Sequence, residues 1–145
     1  MTDQSRQPVF ASGQIDIAAE PWRVWSIMVD VDGWPEWNPD IKWARLAGPL
    51  AEGTEFIWKA GPGTIRSTLL LVDEPQAVAW EGRTLGIMAH HTWRLEPSPQ
   101  GTTVITEESW NGLLPRLFPT AMNRQLKAAI DRGLGFLKEA SETQA

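Results

Sequence analysis

Residues 18–41 read AAEPWRVWSIMVDVDGWPEWNPDI. Four tryptophans, Trp22, Trp25, Trp34 and Trp37, fall within sixteen positions, between a Glu20-Pro21 opening and an Asn38-Pro39 stop. Proline is tolerated at the first position of a helix, where its missing N–H would be unpaired anyway. At about 100° per residue, Trp22, Val24, Trp25, Met28 and Val29 gather on one broad apolar face, with Arg23 and Ser26 opposite. The stretch predicts a short amphipathic helix with one buried side. Gly33 and Pro35 interrupt it, and Trp34-Pro-Glu-Trp37 makes a second aromatic turn that must bury against something.

Outward from this stretch the period changes. Phe10 to Ile17 alternates and reads as a first strand, with Ile15 and Ile17 on one face. After Ile41, Glu55–Lys59, Ile65–Val72, Ala77–Gly82, Ile87–Glu96 and Thr102–Trp110 read as strands joined by hairpin-length turns, which predicts an antiparallel meander. The end returns to helical spacing. Phe118, Met122, Leu126, Ala129, Ile130, Gly133 and Leu137 recur at steps of three and four across residues 119–140. Gly133 and Gly135 each cost about 1 kcal/mol relative to alanine. Either they give close approach or room beside the helix, or the helix is long enough to carry them. Residues 1–8 and 142–145 are polar and expected to fray, leaving one domain over 9–141.

Composition narrows the function classes. The chain has 145 residues, enough for one domain with a proper core. It has no cysteine, which excludes disulfides, thiolate nucleophiles and cysteine zinc sites. Nine tryptophans and no tyrosine mean that any aromatic wall is built of indole and phenylalanine, and that no phenol general acid exists. A net charge of −5 argues against a nucleic-acid partner. The first residues lack the basic and apolar regions of a signal peptide, and no apolar run is long enough to span a bilayer. We expect a cytoplasmic protein without stable membrane insertion, as a monomer or homodimer. Gly61-Pro-Gly63 lacks the rest of a phosphate loop, and no GxSxG elbow occurs. Adjacent strand residues point to opposite faces, so His90 and His91 cannot share a metal; no metal and no cofactor are expected.

Hairpin arithmetic then assigns an inner face, since directly opposed residues share one. Turns centred after Glu96, at Thr84-Leu85 and at Gln76 pair Trp93 with Thr106, His91 with Glu108, Trp80 with Ala89, Val78 with His91, Leu71 with Val78 and Leu69 with Trp80. The inner face so built carries Phe56, Trp58, Ser67, Leu69, Leu71, Val78, Trp80, Ala89, His91, Trp93, Leu95, Val104, Thr106, Glu108 and Trp110. Closed by the last helix, such a face makes either a solid core or an apolar cavity; indoles interspersed with Ala89, Ser67 and Gly82 favour the cavity. His91 and Glu108 form either a pocket dyad for acid–base work or a structural hydrogen bond between two buried polar groups.

The element order, with Ile17-Ala-Ala-Glu-Pro-Trp-Arg-Val-Trp25, Trp34-Pro-Glu-Trp37-Asn-Pro39, Leu50-Ala-Glu-Gly53-Thr, Trp80-Glu-Gly82, His91-Thr-Trp93, Gly101-Thr102, Glu108-Ser109 and Leu137-Lys138, resembles the START-related helix-grip superfamily (SRPBCC, the birch-pollen-allergen type of fold). Its bacterial polyketide cyclase/dehydrase and lipid-transport-like branch is the nearest match, over about residues 10–140. The resemblance implies an α+β fold: a curved antiparallel sheet of about seven strands wrapped on a long C-terminal helix, with two short helices after the first strand. It also implies a cavity for a small apolar, aromatic, polyketide or lipid-like ligand. The expected lining is Trp37, Phe56, Trp58, Ser67, Leu69, Val78, Trp80, Ala89, Trp93, Thr106, Trp110, Met122, Leu126, Ile130 and Gly133. His91 and Glu108 are the candidate catalytic pair if the protein is a cyclase or dehydratase. A carrier without turnover and a stress-related or chaperone-assisting member are the other readings. The absence of tyrosine departs from what cyclase pockets use.

Overall fold

Alternating stretches bury only one side each, so they pair into a sheet and look for a cover. The computed structural model describes residues 4–143. Its strands are β1 (Val9–Ile17), β2 (Trp43–Leu46), β3 (Glu55–Lys59), β4 (Thr64–Asp73), β5 (Ala77–Thr84), β6 (Ile87–Ser98) and β7 (Gly101–Asn111). They form one antiparallel sheet in the order β1-β7-β6-β5-β4-β3-β2. The helices are α1 (Pro21–Met28), α2 (Trp34–Trp37), α3 (Leu113–Leu117) and α4 (Pro119–Thr143). This is the expected α+β helix-grip architecture.

The last helix lies along β1. Even-numbered residues of β1 turn their peptide groups away from β7, and side chains of α4 stand in for the missing neighbour. Asn123 accepts from Phe10 N at 2.9 Å and donates to Pro8 O at 3.2 Å. Lys127 and Lys138 donate to the carbonyls of Ser12 and Asp16 at 2.8 and 2.9 Å. Glu142 accepts from Ala18 N at 2.8 Å. Gly13 lets the helix come close, because a Cβ there would stand 2.9 Å from Leu134 Cδ1. Leu126, Ile130, Leu134 and Leu137 fill the seam.

Several expectations change. The β5–β6 turn is Leu85-Gly86, with φ of 41° and 76°, the positive pair of a type I′ hairpin. Trp80 therefore faces His91 and Val78 faces Trp93, rather than Ala89 and His91. A slip of two leaves each residue on its face. An irregularity between Leu69 and Leu71 shifts the β4 register, so Leu71 faces Ala79 and is exposed, while Val72 takes the place opposite Val78. Trp22 also leaves the buried stripe. It lies roughly 90° from the stripe's centre at 100° per residue, and stays exposed. Gln4–Arg6 forms a 3-10 turn whose Gln4 donates to Thr92 Oγ1 at 3.1 Å, and α4 runs on to Thr143. Residues 1–3 and 144–145 lie outside the described residues.

Replacing Leu126, 1% exposed, with alanine should cost about 2–5 kcal/mol. Asn123→Ala, which strips the β1 edge of two bonds, should cost about 1–3 kcal/mol. Urea denaturation of both variants measures the two effects separately.

Candidate functional site

The seventeen residues expected to line or act in a cavity divide into two groups by burial. Phe56, Ser67, Leu69, Val78, Trp80, Trp93, Thr106, Leu126 and Ile130 are buried. The void beside Phe56, Leu69, Val78 and Trp80, under Met28, Val31 and Trp34, is only about 10 Å³, room for at most one water. This half is a filled core rather than an open wall. Its filler is Trp34, which stands 5.5, 5.4 and 5.6 Å from the rings of Phe56, Trp58 and Trp80. The Trp34 indole donates to Met28 O at 2.8 Å, so its polar atom is satisfied inside the core.

The remaining eight, Trp37, Trp58, Ala89, His91, Glu108, Trp110, Met122 and Gly133, are half-buried. Cross-strand register gathers four of them. His91 faces Glu108 and Ala89 faces Trp110 across β6 and β7. On α4, Gly133 lies about 20° from Leu126 at 100° per residue, so it faces the sheet. A Cβ at Gly133 would meet nothing within 4 Å. The helix thus covers the sheet with a gap in its buried stripe. Arg132 beside it is tied to Asp40, after α2, at 2.9 Å.

His91 Nδ1 stands 3.0 Å from Glu108 Oε1, with side chains 12% and 16% exposed. Its Nε2 is 2.8 Å from Thr106 Oγ1, whose own proton goes to Thr92 O at 3.0 Å. A hydroxyl has one proton to give, so Thr106 accepts from Nε2. Both ring nitrogens then face oxygen partners, Glu108 at one end and Thr106 at the other. Trp110 Nε1 donates to Glu108 Oε2 at 2.8 Å. Burial works against ionising Glu108, but the charge and hydrogen bond of His91, with the indole N–H, outweigh it and hold the carboxyl below its ordinary value. The His91 ring also lies 5.0 Å from those of Trp80 and Trp93, packed among aromatic neighbours. Thr106 and Trp110, expected only as lining, are the groups that orient the pair. On the other face, burial lowers the pKa of His90; Glu81 opposes this and His91 adds to it.

Among the described residues, two buried indole N–H groups, those of Trp37 and Trp93, have no acceptor. Each is a donor that an oxygen-bearing guest could satisfy.

Residues 9–142 match the family described as polyketide cyclase / dehydrase and lipid transport. The chain belongs to this family. Solved structures similar to it include a hypothetical protein of Helicobacter pylori, at a TM-score of 0.83 and 15% identity over 94% of this chain and 89% of that one. A di-domain ARO/CYC protein from the steffimycin biosynthetic pathway aligns at 0.76 and 15%, over 90% of this chain and 50% of that one. A START superfamily protein from Mycobacterium smegmatis aligns at 0.72 and 15%, over 90% and 98%. At such identities these likenesses speak for the fold alone. A comparison with curated proteins finds no match.

Acidification should separate the two histidine faces. The Glu108 pKa is lowered in the fold, so its stabilisation holds above the ordinary value, about pH 4.3, and is lost as pH falls through the lowered one. The His90 pKa is lowered too, so its loss begins below about pH 6.5. Glu108→Gln should cost up to about 3 kcal/mol at neutral pH and flatten the acid limb, whereas His90→Gln should flatten only the upper limb. Denaturation midpoints from pH 8 to about 3 read both.

Proposed function

We propose that this family member binds a small hydrophobic ligand in the half-open strip between α4 and strands β6 and β7. The observation that carries the reading is the gap at Gly133, on the sheet-facing side of a helix stripe that is otherwise packed, in a fold whose inner face keeps Ala89, His91, Glu108 and Trp110 half-buried. A ligand there meets indole faces, a methionine and one ion pair. The braced His91–Glu108 pair among indoles favours a ligand with one or two oxygen atoms on an apolar frame, such as an aromatic, polyketide or lipid-like molecule.

Between carriage and catalysis, the engagement of both His91 nitrogens favours carriage. A general acid or base needs a nitrogen free to meet the substrate, and here Glu108 and Thr106 hold both. The cyclase or dehydratase reading keeps support from the partial exposure of the pair, which puts it within reach of a ligand carbonyl. On that reading His91→Asn would lower turnover of a polyketone by about 10²–10⁴-fold with the fold intact. On the carrier reading it lowers stability only.

An apolar dye such as anilinonaphthalene sulfonate should bind the folded protein and shift its indole emission. Gly133→Leu and Ala89→Trp each place bulk in the proposed strip and should weaken binding at least tenfold with an unchanged circular dichroism spectrum. Undiminished binding by both folded variants would remove the site. Native mass spectrometry of the purified protein would then give the mass of any ligand carried along.

A further inference from the structure

We propose that the end of the molecule formed by the β3–β4 turn, the β5–β6 turn and α3 docks on an anionic lipid bilayer. These segments touch. A Cβ at Gly63 would lie 2.9 Å from Leu85, and one at Gly86 would lie 3.5 Å from Leu114 of α3. The surface they share is apolar where protein surfaces usually are not. Leu85, Met88, Leu113, Leu117 and Phe118 are 59, 48, 67, 59 and 56% exposed.

The charge around that surface has one sign. Residues 57–66, 82–93 and 109–126 carry Lys59, Arg66, Arg83, Arg116 and Arg124, and none of the 18 acidic residues of a chain whose net charge is −5. Arg66 and Arg83 face each other directly across β4 and β5, an opposition of like charges that weakens a strand pair. The nearest acidic row on these strands, Glu55 and Glu81, begins one step farther from the turns. Exposed leucines and a phenylalanine ringed by arginines match a boundary where hydrocarbon lies behind negative headgroups. Among the described residues no helix is long and apolar enough to cross a membrane, so the contact is at the surface. It is independent of whether the strip under α4 holds a ligand.

Flotation of the full chain with phosphatidylcholine vesicles, alone or with roughly 30 mol% phosphatidylglycerol, tests the proposal. Binding is expected to the anionic vesicles only, and to weaken with added salt. Arg83→Glu, which turns the Arg66 opposition into a pair and should not harm the fold, is expected to weaken partitioning by about fivefold or more, the scale of one surface charge. Leu113→Ser with Leu117→Ser should abolish it while dye binding stays unchanged. Equal binding to neutral vesicles, no binding to anionic ones, or full binding by the folded double-serine variant would overturn the proposal. So would basic-face variants that lose only capture of an acidic protein while vesicle binding is absent.

Discussion

The Trp34 indole decides which part of this sheet is core. It drops from the second aromatic turn onto the concave face and meets Phe56, Trp58 and Trp80 at centroid distances of 5.4–5.6 Å. Two of these contacts are edge-to-face, a geometry that adds to the area such rings bury. Donation to Met28 O removes the desolvation cost of its one polar atom. With that ring in place, the half of the inner face under α1 and α2 has no room for a guest. On the function proposed above, a guest lies toward β6, β7 and the middle of α4.

There the polar groups change the character of the wall without opening it to bulk water. The His91–Glu108 pair is held at both ends, by Thr106 on the imidazole and Trp110 on the carboxylate. Such bracing keeps a partly buried pair in one geometry and makes it a fixed dipole in an apolar surround. A fixed dipole orients a ligand oxygen well. It moves protons less readily, since each nitrogen must first give up a partner. Family membership is compatible with either use, because this fold hosts both.

One helix serves both ends of this arrangement. Its outer side chains, from Asn123 to Glu142, satisfy the backbone edge of β1, while Leu126 and Leu137 pack beneath. Gly133 interrupts the same stripe without contact. The helix can afford this gap because its attachment is distributed from Asn123 to Glu142, so no single turn must be filled.

Six of the seven strands, the helix over residues 119–140, most of the inner face and the His91–Glu108 contact were legible in the sequence, whereas the four-residue β2 and the five-residue α3 were too short to show a period. Each rests on a local period or on a turn whose centre fixes which residues oppose, and such quantities do not depend on the rest of the fold. The Leu71 assignment failed because a register irregularity in mid-strand has no signature in alternation. The β5–β6 register failed because Leu85 occupies a positive φ that a leucine does not announce. The choice between a filled core and a cavity behind the inner face stayed open in the sequence. Periodicity says which side chains point inward, but not how far apart the facing layers stand or whose ring fills the space between them. That distance is set by α4 against Gly13 and by Trp34 against three other rings, contacts between segments far apart in the chain. Which residues face inward was therefore written in the sequence; where the inside is full and where it is open came only from the tertiary packing, because volume, unlike direction, is a property of all the layers together.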